Sequence, residues 1–96
     1  MKAGHELIAQ ERKEHFAKNE YTLESDKKHN SKGQLAKAAA SLAYLHVNDH
    51  SPTSRTYPPD GWELKLWEKM CNKDYKDRLI IAGALIAAEI DRIQNI

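Results

Sequence analysis

The stretch RLIIAGALIAAEIDRI, Arg78 to Ile93, sets the tightest limit on what this chain can fold into. From Leu79 to Ala88 it holds no polar residue, so a helix here has no face that prefers water. Such a helix is covered by neighbours on several sides or by another subunit. The run is about half of what a bilayer span requires, which makes it a core helix rather than an anchor. The expected core stripe is Leu79, Ala82, Gly83, Ile86, Ile90 and Ile93, with Asp74 as the N-cap. Glu89 falls at the edge of that stripe, where a partly desolvated carboxylate favours a cationic partner. Arg92, three residues on, is the nearest one.

The remaining segments also read as helices. Residues 3–18 mix Leu7, Ile8 and Phe16 with charges four apart, such as Glu14 and Lys18, which suits a solvated helix with one narrow buried stripe. Tyr21 to Asp26 has no helical period and is rich in turn-forming residues. Ser31 and Gln34 then form a capping-box pattern, and Leu35, Ala38, Ala39, Leu42 and Leu45 repeat at helical spacing, so a helix is expected near 32–48, ending before Pro52. Its alanines keep the surface thin enough for another helix to approach closely. Residues 49–60 form a long loop with three prolines. Asp60 and Glu63 give a second capping-box pattern, ahead of a short helix near 61–71 with Trp62, Leu66 and Met70 at four-residue spacing and Trp67 beside them. The last helix is expected near 75–94. The fold class is therefore all-α: a single domain over 1–96, a small bundle of three main helices plus one short Trp-bearing helix.

Size sharpens this. A chain of 96 residues is near the length at which one core is marginal, so oligomerisation is expected. The N-terminal run Lys2-Ala3-Gly4-His5-Glu6 does not resemble an apolar signal core, and the expected location is the cytoplasm of a bacterial host, with no membrane partner. The single cysteine, Cys71, has no partner for a disulfide or a Cys-based metal site. Fifteen basic against fourteen acidic residues leave none of the surplus that binding to a phosphate backbone normally uses, which argues against nucleic acid. No Gly-rich phosphate loop, Gly-x-Ser-x-Gly elbow or His-Glu-x-x-His pair is present, and no cofactor is expected.

Three blocks together resemble a widespread group of small phage and prophage proteins: ERKEHFAKNEYT running into LESDKKHNSKGQLAKAA, then PPDGWELKLWEKM, then RLIIAGALIAAEIDRI with its AGALI-AEIDR-type pattern. The resemblance spans most of the chain and implies a phage-type origin rather than a particular reaction. The group often has Gly before the Tyr-Thr pair, two adjacent acids before the His, and Gly-Glu-Leu opening the second helix. Here those places hold Glu20, Asp26-Lys27 and Gly33-Gln34. Two acids are lost, which would weaken any divalent-metal site the group built from them.

Two clusters carry side chains capable of chemistry. Glu24, Asp26 and His29 are of the types that bind metals or move protons, but Lys27 and Lys28 dilute the negative potential a cation needs, and the cluster reads better as the lead-in to a capped helix. His46, Asp49 and His50 share a helix face if the helix lasts that far. Two histidines four apart can chelate zinc, yet the end of a helix before a proline is an ordinary place for them, and no metal site is expected. Trp62 and Trp67 with Lys65 and Lys69 could instead stack a base and pair a phosphate.

Three functions from different classes follow. The first is non-catalytic capture of a small anionic, nucleotide-like ligand, in the manner of phage proteins that sequester a host defence signal. Its contacts are expected at Arg12, Tyr21, Asp26, His29, Trp62, Trp67, Lys69, Glu89 and Arg92. The second is an enzyme akin to the all-α nucleoside triphosphate pyrophosphohydrolases, for which Glu11, Glu14, Glu89 and Asp91 are the available helical acids. The third is a protein-interaction module in which Ala82, Gly83, Ala84, Ala87 and Ala88 let another helix come close, including that of a second copy.

Overall fold

The computed structural model describes residues 1–19, 27–44 and 58–94. Four helices organise them: α1 (Gly4–Asn19), α2 (Gln34–Tyr44), α3 (Leu64–Cys71) and α4 (Tyr75–Gln94). Residues 27–29 are helical as well, and no strand occurs among the described residues. The architecture is all-α. No helix among the described residues is long and apolar enough to cross a membrane. The stretch 45–57, where the second helix was expected to end and the long loop to begin, lies outside the described residues.

Two helix starts differ from the sequence expectation, and in both a glycine decides. The Gly33 carbonyl accepts from the Lys37 amide at 2.9 Å, so Gly33 rather than Ser31 is the boundary residue of α2. Its φ of 80° turns the chain into the helix, a conformation only glycine adopts without strain. Gln34 still reaches back, but one residue out of the expected register. Its Oε1 accepts from the Lys32 amide at 2.7 Å, and its Nε2 donates to the carbonyls of His29 (3.3 Å) and Asp60 (3.5 Å). The Asp60 capping box is not formed either. The Trp62 amide donates to the Pro59 carbonyl at 3.1 Å, closing a turn with Gly61 at φ 84°. Positive φ at the third position is what a type II turn demands. Asp60 is thus a turn residue, and α3 starts later, at Leu64, behind Glu63 in an extended conformation without a side-chain cap. Asp74 does cap α4, its Oδ1 accepting from the Asp77 amide at 2.9 Å.

The core is built where α2 packs on α4. Leu35, Ala38, Ala39 and Leu42 from α2 meet Ile81, Ala82, Leu85 and Ala88 from α4, and Trp67 and Cys71 of α3 complete the cluster. Alanine on both helices lets the two backbones approach closely, which brings more atoms within dispersion range. Arg78 is 3% exposed and holds the contact. Its Nε donates to the Lys73 carbonyl at 3.1 Å and its Nη1 to the Leu42 carbonyl at 3.4 Å, while the guanidinium lies 5.5 Å from the Tyr75 ring centre. One cation therefore ties the end of α3 and the last turns of α2 to the first turn of α4.

This packing corrects the expected core stripe of the last helix. The buried face of α4 is Arg78, Ile81, Ala82, Ala84, Leu85 and Ala88. Leu79, Ile86, Ile90 and Ile93, expected inside, are 39%, 50%, 50% and 53% exposed. A run that is apolar all round does not say which way it faces; the thin alanine surface of α2 selects the alanine side of α4. In α3 the same kind of shift applies, with Trp67 and Cys71 buried and Leu66 turned outward.

α1 packs against a second flank of α4. Gly83 makes the close approach possible, since a Cβ there would lie 2.5 Å from Cδ1 and 2.8 Å from Cγ1 of Ile8. Arg12 adds an ion pair to Asp91 at 3.2 Å. The Gly83 notch generates an expected outcome for chemical denaturation. Gly83→Ala should lower stability in the parent chain, where Ile8 must move. In an Ile8→Ala background it should raise stability by about 1 kcal/mol, the usual helix preference for alanine over glycine. Equal effects in both backgrounds would mean that Ile8 does not fill the notch.

Candidate functional site

Two regions of the surface carry the residues singled out from the sequence. The first lies around Trp62. Its Nε1 donates to Asn30 Oδ1 at 2.8 Å, and its ring meets Trp67 edge to face, with centroids 6.1 Å apart and planes at 78°. Asn30 is buried, positioned by the turn between residue 29 and α2, while Trp62 follows the Gly61 turn into α3. Trp62 is partly exposed, but its one polar atom is engaged within the fold. Trp67 is 0% exposed and belongs to the core, so no atom of its ring faces solvent to stack a base. His29 and Lys69 are exposed. Tyr21 and Asp26, with Glu24 beside them, lie outside the described residues, as do His46, Asp49 and His50.

The charged candidates on α1 and α4 are paired with one another. Arg92 grips Glu89 in a two-pronged contact, Nε to Oε1 at 2.6 Å and Nη2 to Oε2 at 3.3 Å, with both side chains largely buried. Spacing of three on one helix places them side by side, and the fork of arginine matches the two carboxylate oxygens. Arg12 reaches Asp91. Of the acids considered for pyrophosphohydrolase chemistry, Glu11 and Glu14 line a hollow between α1 and α4 together with Asp77 and Lys73. Glu89 and Asp91 are held by Arg92 and Arg12 instead. The four are thus divided among three places. Among the described residues no group of three His, Cys, Asp or Glu side chains is arranged to hold a metal ion.

The second region is the flank of α4 that neither α1 nor α2 covers. Leu79, Ile86, Ile90 and Ile93 stand on it in one line, and the intervening step of the four-and-three spacing falls on Gly83, which Ile8 of α1 covers. That is the spacing of a coiled-coil seam. The seam is narrow because its members fall within a small angle of the helix wheel, unlike the broader stripe by which a helix settles on a globular core. Together the four residues form one exposed, mainly apolar patch. Sequence reading placed these residues in the core. Spacing could not have separated the two sets, because Arg78, Ile81, Leu85 and Ala88 of the interior face follow the same three-and-four step.

The Trp62 contact is open to a direct check. Trp62→Phe keeps an aromatic edge against Trp67 but removes the donor to Asn30, and should cost about 1 kcal/mol in urea unfolding. Trp62→Ala also removes the packing and should cost about 3 kcal/mol. Equal costs for the two would place the stabilisation in the hydrogen bond alone. No protein-family model matches this chain, and no curated protein or solved structure matches it either.

Proposed function

We propose that this chain acts as a non-catalytic helical interaction module, with the uncovered flank of α4 as its contact surface. The observation that carries the reading is the line of Leu79, Ile86, Ile90 and Ile93, each at least 39% exposed on a helix whose other flanks are packed by α1 and α2. Burying such a line against a second apolar helix is favourable at about 25 cal/mol per Å² before the costs of association are subtracted. The charged groups of α4 near the seam support the same reading. Glu89 and Arg92 neutralise each other within the helix, which leaves the flank suited to an apolar partner rather than to a charged substrate.

Capture of an anionic, nucleotide-like ligand draws its support from His29, Lys69 and the partly exposed ring of Trp62. It draws less from Arg12 and Arg92, since a phosphate would have to compete with Asp91 and Glu89 for their guanidinium groups. The interaction reading is therefore the preferred one.

Native mass spectrometry of the protein purified from its expression host separates the two. Whole-chain mass increments on the parent protein, lost in an Ile86→Glu, Ile90→Glu variant, are the expected result. A nucleotide-sized increment on a monomer would transfer the function to ligand capture. A bare monomer at every concentration would overturn the interaction reading.

A further inference from the structure

We draw no further inference here: the strongest candidate, the uncovered flank of α4 that bears Leu79, Ile86, Ile90 and Ile93, carries none because nothing in the structure shows what covers it.

Discussion

The close contact between the alanine faces of α2 and α4 is the constraint from which the rest of this small fold follows. Ala38 and Ala39 offer almost no side-chain bulk, and α4 settles on them with Ala82, Ala84 and Ala88 inward between Arg78, Ile81 and Leu85. Once α4 is oriented in that way, Arg78 falls beneath the end of α2, where it meets the carbonyls of Leu42 and Lys73. A buried cation is costly unless its donors are used, and here the chain's own carbonyls use them. The orientation also decides what remains outside, since every isoleucine on the far side of α4 is turned away from α2.

α1 contributes differently. Among its described side chains Leu7 and Ile8 are only half-buried, and a notch in α4 and an ion pair help to hold it in place. Gly83 therefore has two effects on the fold. In a helix interior it loses conformational entropy relative to alanine, yet without it the two helices would be pushed apart at their crossing. Glycine at this position is understood from what lies above it rather than from the helix that contains it.

How much of this was legible beforehand depended on whether the deciding partner was near in sequence. The Asp74 cap and the Glu89–Arg92 pair are local, set by spacings of three residues, and were readable as such. The two capping boxes looked equally local but were not decided locally. Gly33 and Gly61 adopt positive φ, and Gln34 donates to the carbonyl of Asp60, 26 residues away, which no spacing rule contains. The facing of α4 is the clearest case. Its sequence offers two apolar sets, and only the thinness of α2 discriminates between them. The buried roles of Arg78 and Asn30 were hidden for the same reason, because a charged or amide side chain announces burial only once its acceptor or donor has been placed by another segment.

Cys71 gives the fold a built-in clock. It is the only thiol in the chain and is 1% exposed, packed in the same cluster as Trp67. A thiol so placed reacts with a solvent reagent only when the cluster opens, so its labelling rate counts openings of the core rather than any chemistry of its own. The count therefore reports the breathing of the interior, using nothing but the residues the protein already has.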